Sequence, residues 1–201
     1  ILLVGFIAIF GLIAAASLGW VALIVLSLIQ GWIIHTLALV GHDLFVHRNL
    51  WPQTVGPLLS SLVFVPATMS GRTYRLGHLR HHAKIGTKDD TEAGLADINT
   101  QARRLLFLTL VGFKLARSGK WGDAGVNGYQ ALVGATDEDQ QVIAKEKHGI
   151  LAFIAVILTL LVISPWQVAV FGYLLPIALV APVLSSIRIV IEHAVVDRDN
   201  P

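Results

Sequence analysis

Apolar residues fill two long stretches of this chain almost without interruption, and the polar residues gather between them. Residues 1–40 and 149–187 contain no Asp, Glu, Lys or Arg, whereas residues 41–148 carry thirteen of the fifteen basic residues. A spanning helix needs about 20 apolar residues to cross a hydrocarbon core of about 30 Å. Each charge-free stretch is long enough for two such helices. The pattern predicts spans at about 1–17 and 21–40, turning at Gly19-Trp20, and at about 149–164 and 167–191, turning at Ser164-Pro165-Trp166. Pro176 and Pro182 are expected to kink the last span.

The expected fold class is therefore an all-α membrane protein, with four transmembrane helices in two hairpins and a helical cap over residues 41–148. We read residues 1–201 as a single integral membrane domain, because no repeat or low-complexity linker divides them. Crowding of Lys and Arg into the cap puts it on the cytoplasmic side and the two hairpin turns outside. Within the cap, residues 55–69 are too short to cross twice and hold Pro57 and Pro66, which suits a re-entrant or interfacial segment. Residues 101–117 have bases at both ends of an apolar stretch, the pattern of a helix lying in the headgroup plane or of a soluble core helix. Thr136-Asp137-Glu138-Asp139 resembles a capping box that opens a helix ending at Lys145 and Lys147, ahead of the third span.

Composition narrows the chemistry. With 55% hydrophobic residues, 14% charged and no cysteine, the chain is no ordinary soluble domain, and it has no disulfide framework, Cys-ligated metal or catalytic thiol. The net charge of +2 reflects bases flanking apolar spans, so it indicates topology and not nucleic-acid binding. The chain begins at Ile1 without an initiator, and Met69 is its one methionine, so we read it as a fragment. Nothing at its start has the basic n-region and small-residue cleavage site of a signal peptide.

Five of the eight histidines form two clusters, each beside an apolar segment: His42 and His47, then His78, His81 and His82. On a helix His78 shares a face with His81 and with His82, so this triplet can address two adjacent metals. His42 and His47 lie about 140° apart around an ideal α-helix, so either the helix end frays, as is expected where the second span ends, or the two serve metals on different sides. His193 follows Glu192 at the end of the last span, on the same expected side. His35, one heptad before His42, is an ionisable group inside a span, either supporting the ligand histidines or lining a pocket, or else satisfied in the bundle core. His148 stands among lysines and is read as interfacial.

Imidazole ligation without thiolate suits zinc, copper or iron. The ligand count exceeds what one zinc needs, and a site at the edge of lipid faces unactivated C–H bonds that require oxygen chemistry, so iron is favoured. The His-Glu-x-x-His of zinc proteases is absent. Asp43, Asp89, Asp90 and Glu192 are natural acceptors for the far ring N–H of ligand histidines, and for Asp89 and Asp90 a solvated loop acid is an equal reading.

On these residues the chain resembles the membrane fatty-acid desaturase and hydroxylase superfamily, the histidine-box di-iron proteins. The resemblance rests on paired spans, a first box His42-x4-His47, and a second box in the context Tyr74-Arg75-Leu76-Gly77-His78-Leu79-Arg80-His81-His82. It implies that these five histidines, joined by His193 after the last span, ligate two iron ions, and that a third box follows downstream of residue 201. It also implies an O2-dependent oxidoreductase acting on a membrane lipid or acyl chain held in a tunnel below the metals, with a double bond or a hydroxyl as the outcome. Electrons would come from a ferredoxin or cytochrome b5 type donor, as no Gly-x-Gly-x-x-Gly or haem attachment motif is present.

The acyl-lipid desaturase is the first reading. A carotenoid ketolase or hydroxylase of the same superfamily is the nearest rival, because Gly86-Thr87-Lys88-Asp89-Asp90 after the second box resembles what ketolases carry there. From another class, a polytopic transport or structural protein would bind metal through the same histidines. Apart from Arg188 near the end of the last, His35 is the one histidine or charged residue inside the expected spans, which counts against a transport path.

Overall fold

Uninterrupted apolar runs wind as helices wherever the chain lacks a breaker, and the ends of those helices fall at glycine, proline or a side-chain cap. The computed structural model describes residues 1–15, 17–48, 55–85, 87 and 134–193. Asp89, Asp90 and the 101–117 stretch lie outside the described residues, as do the side chains of Glu192 and His193. Every element among the described residues is helical.

Helix α1 (Leu2–Ala15) is followed by α2 (Trp20–Gly41), which Gly19 enters in an extended conformation. At its far end α2 continues without a break into a π-helical turn, His42–His47. Helix α3 (Gly56–Phe64) carries Pro57 in its first turn, where a missing N–H costs nothing. A 3-10 turn (Val65–Ala67) follows, and Thr68, at φ 53° in the left-handed region, stops the winding. Ser70 then caps α4 (Gly71–Lys84), its hydroxyl accepting the Thr73 N–H at 3.1 Å.

Helix α5 (Asp137–Ile163) opens on a true capping box. Thr136 Oγ accepts the Asp139 N–H, and the Asp139 carboxylate accepts the Thr136 N–H. The cap helix and the third span expected as two elements are this one helix of 27 residues. Nothing at Gly149 supplies a stop, because a lone glycine between helix formers costs only about 1 kcal/mol.

The last span starts as α6 (Trp166–Ala169), passes through two π-helical stretches, Val170–Leu174 and Pro176–Val180, and finishes as α7 (Ala181–His193). Around Pro176 the winding is wider than in an α-helix. Proline has no N–H to give the ladder, and neighbouring groups bond five residues back instead: the Leu175 N–H reaches Val170 O and the Ala181 N–H reaches Pro176 O.

Among the described residues, two helices are long and apolar enough to cross a membrane, Trp20–His47 and Trp166–Arg188. Helix α1, with 14 residues, is about 21 Å long and short of a full crossing. Ile24, Val25, Leu28, Ile29 and Trp32 stand exposed along the outer face of α2, a stripe suited to hydrocarbon. Its inner face packs on α1, α3 and the last span, with Ile33, Ile34 and Leu37 against Phe6, Tyr173 and Ala181.

The bundle has two unlike ends. At one, Trp20 meets Trp166 at 5.8 Å and Phe171 at 5.9 Å, so the two hairpin turns lie side by side. The histidines are at the other. There Phe64, fully buried, is gripped between helices: a Cβ on Gly41 would stand 2.6 Å from its ring and one on Gly71 2.7 Å, with Ser60 also in the way. Gly71→Ala should therefore destabilise the fold by about 1–3 kcal/mol, read as a lowered thermal unfolding midpoint in detergent; an unchanged midpoint would show that α3 and α4 have room to part.

Candidate metal centre

The first box owes its geometry to winding. In a π-helix the N–H of one residue bonds to the carbonyl five before it, so side chains five apart stack one above the other. The Arg48 N–H does this to Asp43 O at 3.2 Å. His42 and His47, which diverge on an α-helix, consequently share a face, with their Nε2 atoms 3.1 Å apart. Regular π winding replaces the expected fraying.

The second box uses ordinary α winding to the same end. On α4, His78 and His82 are four residues apart and their Nε2 atoms lie 2.9 Å from each other. His42 Nε2 is also 2.9 Å from His78 Nε2, so two boxes far apart in sequence meet nitrogen to nitrogen. The four rings form an arc, His47–His42–His78–His82, whose outer members approach to 4.9 Å between centroids. His42 and His78 are buried while His47 is exposed, so the arc opens to one side. His81, also buried, lies beside His78 and His82 with ring centroids 5.8 and 5.4 Å away. Tyr74, one turn before His78, stacks on its ring at 5.4 Å.

Three sets of polar contacts hold this arc. Asp43 Oδ1 is 2.8 Å from His42 Nδ1. An ionised carboxylate can only accept, so Nδ1 carries the proton and Nε2 presents its lone pair to the arc. Arg75 on α4 donates from Nη1 to Phe45 O at 2.9 Å and to Val46 O, inside the π turn. Glu146 of α5, buried, accepts from the Ser70 hydroxyl at 2.6 Å and from the Arg72 N–H at 3.1 Å. Its carboxylate thus sits at the N-terminus of α4, where a negative charge is favoured. One heptad earlier, Asp139 Oδ1 pairs with Arg72 Nε at 2.9 Å. Burial pushes the Glu146 carboxyl above its ordinary value, against the bonds from Ser70 and Arg72. Asp139 also suffers from burial, yet Thr136 and Arg72 together hold its carboxyl below the usual range.

The sequence profile described as Fatty acid desaturase matches residues 5–201. The chain belongs to the fatty acid desaturase family. No curated protein and no solved structure matches it.

A desaturase-family chain implies iron, and the donor set here fits a metal. Two neutral imidazoles facing each other through Nε2 need a proton or a cation between them. His42 has one lone pair there and two nitrogens at hydrogen-bond distance, so it cannot serve both well as an acceptor. Nitrogens at right angles around one ion, each about 2.1 Å from it, stand about 3 Å apart, and the observed separations of 2.9–3.1 Å match that spacing.

The other candidates fall at varied distances from this desaturase-family cluster. His35 Nδ1 is 3.0 Å from Ser185 Oγ, joining α2 to α7 one heptad below His42. His148 is exposed, with Nδ1 2.7 Å from Ala144 O of its own helix. Arg75 and Glu146 were not singled out by sequence reasoning. Asp139 and Glu146 do stand one heptad apart, and that spacing is the available signal that both face α4.

Glu146→Ala should remove about 1–3 kcal/mol of stability by stranding the Ser70 hydroxyl and the Arg72 N–H, whereas Glu146→Gln keeps an acceptor. Because the folded carboxyl titrates above its ordinary 4.5, the native protein should lose stability as pH rises through that window, fully so above the raised value. The stability difference between native protein and Glu146→Gln, measured by thermal unfolding against pH, should fall across this range; a flat difference would place the titration elsewhere.

Proposed function

We propose that this desaturase-family protein is an O2-dependent di-iron oxidoreductase that introduces a double bond into a fatty acyl chain of a membrane lipid. His42, His47, His78, His81, His82 and His193 would hold two iron ions. The single observation that carries this reading is the convergence of Nε2 atoms from both boxes at the end of an apolar span. Such a centre borders the layer in which acyl chains lie.

The topology proposed with it is one domain of four spans in two hairpins, with the histidine boxes facing the cytoplasm. Its support is the unlike ends of the bundle: tryptophans at one, and Arg48, Arg72, Arg75, Arg80 and Lys84 clustered near the histidines at the other. Short α1 would complete its crossing with the residues at its ends or by local thinning of the bilayer.

Bound iron supplies what side chains lack, the activation of O2 for attack on an unactivated C–H bond. One hydrogen leaves each of two neighbouring methylenes, and O2 is reduced to two waters with two further electrons and two protons. The electrons come from a ferredoxin or cytochrome b5 type donor. The chain's own residues orient and shield the centre. Asp43 keeps the His42 proton on Nδ1 and its Nε2 free for metal. Tyr74 covers one face of His78 and limits water there. The His35–Ser185 pair ties α7, which ends at His193, to α2, which leads into His42.

Expression of the intact protein in a host with a defined lipid and pigment content should yield a new acyl double bond, detected by gas chromatography and mass spectrometry. His42→Ala or His78→Ala should lower product at least about 100-fold while membrane insertion is unchanged. Product retained in His78→Ala would sink the iron assignment of that box, and a carotenoid keto group without a new acyl double bond would replace the desaturase reading with a ketolase. Asp43→Ala should weaken iron binding about 10–100-fold, measured by competition with a chelator.

A further inference from the structure

π winding is rare, and the first box depends on it, so something must hold that turn against relaxation to an α-helix. The Arg48 N–H bonds to Asp43 O, and the carbonyls of Phe45 and Val46 lie in the last winding of this turn. Both accept from Nη1 of Arg75. These carbonyls immediately precede His47, and Val46 is fully buried, so the guanidinium reaches the backbone from inside. Arg75 itself stands on α4 one turn before His78. One side chain therefore ties the backbone of the first box to the helix that carries the second.

We propose that Arg75 is the positioning residue that locks the π winding of the first box and thereby aims His47 at the centre. Without this clamp the turn relaxes toward α winding, in which residues five apart diverge by about 140°, and His47 leaves the arc while His42 and His78 stay. Lysine replaces it only in part, since Nη1 is held in a rigid planar guanidinium whereas an ammonium is a strongly hydrated point charge on a flexible stem. The inference rests on the reading of the histidine arc as a metal site.

The test uses the intact protein with Co2+ as probe, because its visible absorption reports how many imidazoles surround it. Arg75→Ala should weaken Co2+ binding about tenfold or more and change the spectrum as His47→Ala does. In a His47→Ala background, Arg75→Ala should add less than about twofold, because both changes remove the same ligand. Arg75→Lys should fall between native protein and Arg75→Ala. Hydrogen exchange provides a readout free of metal: amides of residues 42–48 should lose protection in Arg75→Lys, with α5 unchanged. Native binding and spectrum in Arg75→Ala would overturn the role of Arg75 and leave the metal site standing. If Arg75→Ala does not fold, the Arg75→Lys and His47→Ala pair is read the same way, and additive losses overturn the proposal. A native protein that binds no Co2+ overturns the metal reading and this inference together.

Discussion

Imidazole nitrogens that face one another at hydrogen-bond distance need a proton or a cation between them, and that requirement organises this molecule. Four rings from two helices present Nε2 to a common space. Holding them there needs two backbones fixed to a few tenths of an ångström at the edge of an apolar bundle. Non-directional apolar packing cannot supply such precision, so directional contacts surround the arc. Asp43 sets a tautomer, Arg75 binds a turn, and Glu146 with Arg72 and Ser70 anchors the start of α4. Helix α5 is long because it does two jobs, lining the bundle with its apolar half and bracing α4 with its charged half.

Winding is the second means by which the chain meets this constraint. Between the Trp20–Trp166 contact and the His35–Ser185 contact, α2 uses fifteen residues and the last span uses nineteen. The two helices run the same way between these contacts, and the two π-helical stretches of the last span, around Pro176, fall within its longer segment. Close approach of the two helices, with Gly31 against Val180 and the Pro176 carbonyl, keeps that register.

Much of this was legible along the chain, because it depends on local pattern. The long apolar stretches, the capping box at Thr136 and Asp139, and the family all follow from residue types at short spacing. Winding was not legible. A helical projection assumes one angular step per residue, and on that assumption His42 and His47 diverge and Lys147 closes a helix. The shared face of His42 and His47 goes with a contact from a remote residue, Arg75 on the Phe45 and Val46 carbonyls, whereas the helix runs on past Lys147 because Gly149 costs little. Glu146 between two lysines looks like any solvated acid until α4 covers it.

The two boxes solve one geometric problem with different numerals. Four positions apart on α winding and five apart on π winding give nearly equal nitrogen separations, 2.9 and 3.1 Å. The first box is thus equivalent to the second with one residue inserted, and the insertion is absorbed by the backbone ladder without displacing the imidazoles. Histidine spacing in such a chain records how many backbone units fill a turn. A box that gains or loses one position can keep its imidazole geometry, provided a donor such as Arg75 stands ready to stabilise the altered ladder.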